Sequence, residues 1–406
     1  VDLGFLRSLY ENPRDEPGDG YVSVYLDTSP ATEAAATEVG LRWRAAREQL
    51  AAAGADEATL AAAGRVVTQR THPFRARVVF GRGGAVRLSG ILVDPPALGE
   101  ISSYAPLPHV VPWLAQRPPR FAHVRVAADR AGGRVLAVSG AGAAGSGLAA
   151  TGETGDIDTA TEMVGLTEVA GESWPVHKAS VGGWSQPRLQ RSTEEAWAET
   201  AKRIAEAVTV AADQVKAQFV AAGGDVRERT MVVDHLPKAL RDNVVIVDRE
   251  VELDAPAFDE ATWAEASWRA ALESRARLDE FNERMGKPPQ ERRAVEGLGE
   301  TLTALRDGLV SDLLLVADDP AWSSATAWIG PGPAQAGTER DQLTDLGVTG
   351  PVTDRADAAL VRAATGTGAE LHFWPADLGA GGEGDEAARP RGGVAALLRA
   401  PSAALA

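Results

Sequence analysis

The spacing of apolar and polar positions divides the chain into three blocks of mixed α/β character. In the first block, residues 1–118, Tyr21-Val-Ser-Val-Tyr-Leu26 alternates as a strand does. A helical stretch is predicted over 38–63, with Leu41 and Leu50 among its apolar positions. Arg75–Phe80 and Ala85–Leu92 are strand-like, and Gly81-Arg82-Gly83-Gly84 between them predicts a hairpin. Pro106, Pro108, Pro112, Pro118 and Pro119 close the block with linker chemistry, because proline removes donors and stiffens the chain.

In the second block, 119–249, Phe121–Ala127 and Val135–Val138 predict paired strands, with Asp129 and Gly132-Gly133 in the turn. A helix is expected from Thr193 to Ala222, with Trp197, Ala201, Ile204, Val208, Ala211, Val215 and Phe219 on one face. Ser192 and Glu195 have capping-box spacing at its start, and Gly223-Gly224 would end it. Thr230–Val233 and Val244–Val247 are expected as short strands separated by a helical turn.

The third block, 250–406, opens with a charged helix over 260–285, in which Trp263, Trp268, Leu272, Leu278 and Phe281 are spaced for burial. Helices at Leu298–Leu309 and Ala356–Ala364 alternate with strands at Leu313–Val316, Leu371–Trp374 and Gly393–Leu398, the pattern of a small α/β/α sandwich. The chain is therefore expected to be a multi-domain α/β protein.

Composition narrows the chemistry. Without cysteine, the 406 residues can form neither disulfides nor thiolate metal sites. The first ten residues lack a basic start followed by a long apolar run, and no stretch is apolar enough to span a membrane. A soluble cytoplasmic protein is expected. The formal net charge of −16 argues against loose binding to nucleic acid, so any RNA contact must be made by a local basic patch.

One such patch stands out. The chain carries 57 acidic residues, yet none lies between Ser173 and Thr193. The same stretch holds His177, Lys178, Arg188 and Arg191 together with Gly182-Gly183, and it leads directly into the predicted helix. A basic, glycine-containing loop at a helix N-terminus suits a phosphate backbone. Glycine permits close approach, helix N–H groups point outward, and arginine pairs with phosphate oxygens. Trp184 could stack on a base. The plain alternative is an ordinary surface loop.

This loop resembles the peptidyl-transferase loop of archaeal and eukaryotic release factor one. That loop reads Gly-Gly-Gln-Ser, two variable residues, Arg, two more, Arg, then a long helix. Gly182, Gly183, Ser185, Arg188 and Arg191 fall in step with it. Trp184 stands where the family has its catalytic glutamine, and Gln186 lies two positions later. Further support comes from Gly297-Leu-Gly-Glu-Thr-Leu302, Gly308-Leu-Val-Ser-Asp-Leu-Leu-Leu-Val316 and Gly392-Gly-Val-Ala-Ala-Leu-Leu-Arg399, which resemble the family's third domain.

The resemblance covers about 119–402 in order; the first block resembles only bacterial members, including the actinobacterial branch related to the hibernation factor Balon. It implies an RNase H-like middle domain and a third domain like the kink-turn-binding ribosomal proteins. It also implies occupancy of the ribosomal A site, with Lys178, Gly182, Gly183, Trp184, Ser185, Gln186, Arg188 and Arg191 as RNA-binding residues. Because Trp184 offers no amide, the expected role is hibernation or translation silencing without peptide release. The alternative is a peptidyl-tRNA hydrolase or ribosome-rescue factor using Gln186. Elongation factor Tu is a candidate delivery partner. The chain is expected to be monomeric off the ribosome, with no cofactor, no metal and no membrane partner.

Other signals are set aside. Gly140-Ala-Gly-Ala-Ala-Gly145 spells a dinucleotide fingerprint, but 148–160 lacks the apolar period of the helix it requires. Asp129, Asp234 and Asp248 near strand ends raise a metal-dependent nuclease, which needs carboxylates clustered on a shared ion; such residues are more often turn residues. The six histidines show no metal-ligand spacing.

Overall fold

The computed structural model describes residues 2–10, 20–28, 35–68, 76–92, 99, 101–116, 121–139, 163–170, 186–248, 250, 252–317, 319, 322, 324–374 and 389–401. By contact, these form two compact units. One joins 1–117 with 271–406, and the other holds 118–146 and 160–270.

In the first unit a short 3-10 turn leads into α1 (Arg7–Tyr10), followed by β1 (Tyr21–Asp27), α2 (Ala35–Ala52) and α3 (Glu57–Val67). Then come β2 (Ala76–Arg82), β3 (Ala85–Leu92), β4 (Ile101–Ala105) and α4 (Val111–Gln116). The sheet order is β3-β2-β1-β4, antiparallel throughout. The β2–β3 hairpin turns through Gly83 and Gly84, both at positive φ, as their spacing predicted. The helical stretch expected over 38–63 is two helices. Gly54 at φ +100° breaks it, and Asp56 restarts it by accepting the Thr59 N–H at 2.8 Å. Strand β1 is buried on both faces: Val22, Val24 and Leu26 pack in one cluster with α3, while Tyr21 and Tyr25 join a second with Phe80 and Trp113.

The second unit begins with β5 (His123–Asp129), β6 (Gly132–Val138) and β7 (Met163–Ala170). They are followed by α5 (Gln186–Val215), β8 (Phe219–Gly224), α6 (Val226–His235), α7 (Lys238–Arg241), β9 (Val244–Ile246) and α8 (Pro256–Met285), of which residues 256–270 belong here. The sheet order is β7-β6-β5-β8-β9. Strands β7, β6 and β5 pair antiparallel, whereas β5, β8 and β9 pair parallel. Val124, Val126, Val135, Val220 and Ala222 meet α5 and α6 on one face. Ala127, Leu136, Val138 and Ala221 meet Leu253 and Phe258 on the other.

Three expectations are corrected here. Helix α5 starts at Gln186 and ends at Val215, so Phe219 lies in β8 and Gly223-Gly224 ends a strand. The helix stops on Lys216, a non-glycine residue at φ 56°, after which Ala217 N–H donates to the Ala212 carbonyl, a Schellman-type closure. Its start is marked by Pro187 in the first turn rather than by Ser192. Thr230–Val233 is not a strand but part of α6, which begins on Asp225 accepting the Arg227 N–H at 3.0 Å. In α8, Leu278 and Phe281 are buried as spaced, but Trp263, Trp268 and Leu272 are 40, 57 and 48% exposed.

The remainder of the first unit comprises β10 (Ala294–Glu296), α9 (Leu298–Arg306), β11 (Val310–Leu315), β12 (Thr326–Ile329) and β13 (Ala336–Gly337). They are followed by α10 (Arg340–Thr344), β14 (Val352–Arg355), α11 (Ala356–Thr367), β15 (Glu370–Phe373) and β16 (Val394–Leu398). One sheet runs β10-β16-β11-β15 and a smaller one β13-β12-β14. Residues 356–365 of α11 are all buried, because the alanines of this helix share one core with Leu302 and Leu313 and with Leu6, Tyr25 and Trp113 of the first block.

Buried polar groups tie the two parts of this unit together. Leu107 N–H donates to Asp354 Oδ2 at 2.6 Å. The Arg355 guanidinium grips both oxygens of Asp357 at 3.0 and 2.8 Å, and His109 Nε2 stands 3.4 Å from the same carboxylate. The His109 carbonyl accepts from the Tyr25 hydroxyl at 2.6 Å. Burial works to raise Asp357, but His109 and Arg355 outweigh it and hold the carboxyl below its ordinary range.

Asp357→Asn leaves Arg355 and His109 without their buried counter-charge. We expect it to cost about 3 kcal/mol in urea unfolding of the full chain. The wild-type contribution is present above the unfolded carboxylate value of about 4 and is lost as pH falls through the still lower folded value. A pH-independent difference between wild type and variant from pH 7 to pH 2 would rule this out. In the second unit, His123 stacks on Phe219 at 5.0 Å and burial pushes its pKa down to about 4. The unfolded chain then binds a proton that the folded unit refuses. Stability attributable to His123 should fall by about 3 kcal/mol as pH drops from about 6.5 to 4. His123→Leu should remove that slope, and an unchanged slope in the variant would refute the assignment.

Candidate nucleic-acid interface

Of the residues assigned to RNA binding, Lys178, Gly182, Gly183, Trp184 and Ser185 lie outside the described residues. Gln186, Arg188 and Arg191 open α5. Thirty residues of helix extend about 45 Å, and the core seats this one firmly. Ala201, Ile204, Ala205, Val208, Ala211 and Ala212 are buried against the sheet. The first turn of a helix carries backbone donors without intrahelical partners, which favours anions there. The helix N-terminus thus follows closely behind the Gly182-Gly183 pair in sequence.

The three nuclease candidates do not converge. Asp129 is exposed at the end of β5, Asp234 lies in α6 and Asp248 follows β9. Among the described residues, the one group able to offer three ligand atoms to a metal is Asp312, Glu370 and His372 in the first unit. Sequence reading missed it because the parallel pairing of β11 with β15 brings these positions together. His372 Nε2 stands 3.1 Å from Asp312 Oδ1 and 3.6 Å from Glu370 Oε2. Arg277 Nε lies 3.2 Å from the same Asp312 oxygen. Burial works to raise Asp312, but His372, Ser311 and Arg277 outweigh it and hold the carboxyl low. With histidine and arginine both on Asp312, this is a closed ion network.

A second group missed from sequence surrounds a small cavity in the other unit. Its lining includes Asp129 and Arg130 from the β5–β6 turn, Trp197 and Thr200 from α5, and Glu228 and Met231 from α6. The Arg227 and Arg130 guanidinium groups lie 5.0 and 6.0 Å from the Trp197 ring centre. Glu228 is 7% exposed, and apart from the neighbouring Asp225 carboxyl its oxygens have no hydrogen-bond partner. Burial, then the Asp225 carboxyl, pushes its pKa up, while the hydrogen bond with Glu228 draws Asp225 down. The Asp225-x-x-Glu228 spacing was the available signal.

Residues 122–287, which include all of the five-stranded sheet and α5, match bacterial archaeo-eukaryotic release factor family 2. Through this part the chain is similar to the bacterial archaeo-eukaryotic release factor family. Over 387 residues it is 28% identical to the uncharacterized proteins Rv2629 and MT2704 of two Mycobacterium tuberculosis strains, covering 93% of this chain and 93% of each relative. Among solved structures it is similar to Archaeoglobus fulgidus Pelota, with 13% identity, TM-score 0.34, and 80% and 79% of the two chains covered. It is also similar to an archaeal translation termination factor, aRF1, with 14% identity, TM-score 0.22, and 95% and 94% covered. Overlaps this weak do not establish a shared arrangement of the whole chain. No helix among the described residues is long and apolar enough to cross a membrane.

Proposed function

We propose that this protein binds the bacterial ribosome in the cytoplasm, occupies the A site and silences translation without releasing peptide. The observation that carries the reading is Gly182-Gly183-Trp184-Ser185 immediately before α5, in a chain similar to the release factor family. In the resemblance drawn from sequence, the residue after the glycine pair is the glutamine that positions water against the peptidyl ester. Hydrolysis needs water held in line with the carbonyl and donors aimed at the developing oxyanion. An indole has no amide to hold that water, and its bulk occupies the space beside the ester.

Several finer assignments belong to the same proposal. The strand order β7-β6-β5-β8-β9, antiparallel then parallel, supports reading the middle part as RNase H-like. The β10-β16-β11-β15 sheet with α9 and α11 supports the ribosomal-protein-like reading of the third block. The three-way division at 118 and 249, kinship with the Balon branch, a stress-related role and delivery by elongation factor Tu belong to it too. The chain acts as a monomer that needs neither metal nor cofactor.

Lys178, Arg188 and Arg191 supply the phosphate contacts, so binding must weaken with salt. The double variant Arg188→Glu/Arg191→Glu should cosediment with 70S ribosomes at least about tenfold less than wild type at 100 mM salt and show a shallower salt dependence. Equal cosedimentation would remove the start of α5 from the interface. Ribosomes carrying peptidyl-tRNA should release no peptide on addition of wild type, with or without a stop codon. Robust release that disappears in Gln186→Ala would overturn silencing and establish the rescue reading.

A further inference from the structure

The Glu228 cavity has no part in the ribosomal reading, and its chemistry is incomplete as it stands. Aspartate at the N-cap with glutamate three residues on ordinarily forms a capping box, in which the glutamate accepts the N-cap N–H. Here that donor is taken: Asp225 N–H donates to the Ala128 carbonyl at 2.9 Å. Asp225 caps the helix alone, through the Arg227 N–H. Glu228, which lines the cavity, is left 93% buried, and the one polar group that meets its carboxyl is Asp225, itself an acid. The two nearby guanidinium groups stack on Trp197, and neither reaches these oxygens. A buried carboxylate without a donor costs several kcal/mol, so something must meet it.

We infer that the cavity between α5, α6 and the β5–β6 turn is a site for one monovalent cation of water size, potassium or ammonium, held by Glu228 with Asp225 beside it. Size favours this occupant. The space accommodates about one water-sized group and is too small for a nucleobase or an organic amine with its substituents. Ligand count favours it too, since no third carboxylate or histidine comes close enough to complete a divalent set among the described residues. The Thr200 hydroxyl, which donates to the Ala196 carbonyl at 3.0 Å and accepts from Arg203 Nη2 at 3.4 Å, keeps one lone pair that can face the ion. Arg130, Arg227 and Asp129 are the other charges around the site. The competitor is a proton shared by Asp225 and Glu228, since burial and the neighbouring carboxyl both favour the protonated acid. Occupancy should therefore grow as pH rises. An ion here would link the middle of α5 to α6.

Thallium(I), a surrogate for potassium, provides the direct test on the full chain. Equilibrium dialysis at pH 7.5 in tetramethylammonium buffer should show one more thallium bound per wild-type chain than per Glu228→Gln chain. Potassium and ammonium should both displace it. The wild-type melting midpoint should stand about 2–4 °C higher in 100 mM potassium or ammonium than in tetramethylammonium, a difference absent in Glu228→Gln. Asp225→Asn retains a capping side chain and should weaken the binding without unfolding α6. Equal thallium binding by wild type and Glu228→Gln, at pH 7.5 and again at pH 9, would overturn the proposal and leave a shared proton as the sole occupant.

Discussion

Ile204 sits over Gly133, and the position of helix α5 depends on that contact. A Cβ at residue 133 would lie 2.6 Å from the Ile204 side chain, so any larger residue there forces Ile204 to move from its seat on β6. Val208 and Ala211 continue the same buried stripe along the helix. A 30-residue helix in water needs tertiary packing to hold its direction, and this stripe provides it. The basic stretch that precedes α5 is therefore joined to a rod whose axis is set by a core. Residues that must meet RNA phosphates at fixed spacing gain from such a mount, because less ordering is left to be done on binding.

Much of this was legible in the sequence, and what escaped has physical causes. The stripe through Ala201, Ile204 and Val208 was readable because helical spacing and burial agree there. The end of α5 was not, because the left-handed stop is Lys216, which carries none of the steric licence that marks a glycine. Thr230-Met-Val-Val233 reads as a strand by its β-branched residues, yet the Asp225 cap and its packing beneath α5 make it helix. Trp263 and Trp268 fall at helical spacing with Leu278 and Phe281, and that spacing suggested burial that the helix does not give them. The cluster at Asp312 joins positions far apart in the chain, which no local spacing records, whereas the Glu228 cavity left one local trace, the Asp225-x-x-Glu228 spacing.

The charge distribution fits one role better than another. A net charge of −16 repels RNA in general, so attraction confined to a stretch of about twenty residues without an acid confers selectivity for a single place. Within that stretch, tryptophan in the position of the glutamine exchanges an amide that holds water for a ring that can stack. On the proposed reading, the phosphate contacts would survive the exchange and the hydrolytic chemistry would not. That exchange is the basis for proposing a protein that holds a site closed.

Site-specific photocrosslinking measures the central claim most directly. A photoreactive amino acid placed at position 184 of the full chain would be irradiated on purified 70S ribosomes, and the crosslinked nucleotides mapped. Crosslinks should fall in the large-subunit RNA around the peptidyl-transferase centre and should disappear when the A site is filled with accommodated tRNA. Crosslinks that scatter over both subunits, or that persist with the A site filled, would contradict the account.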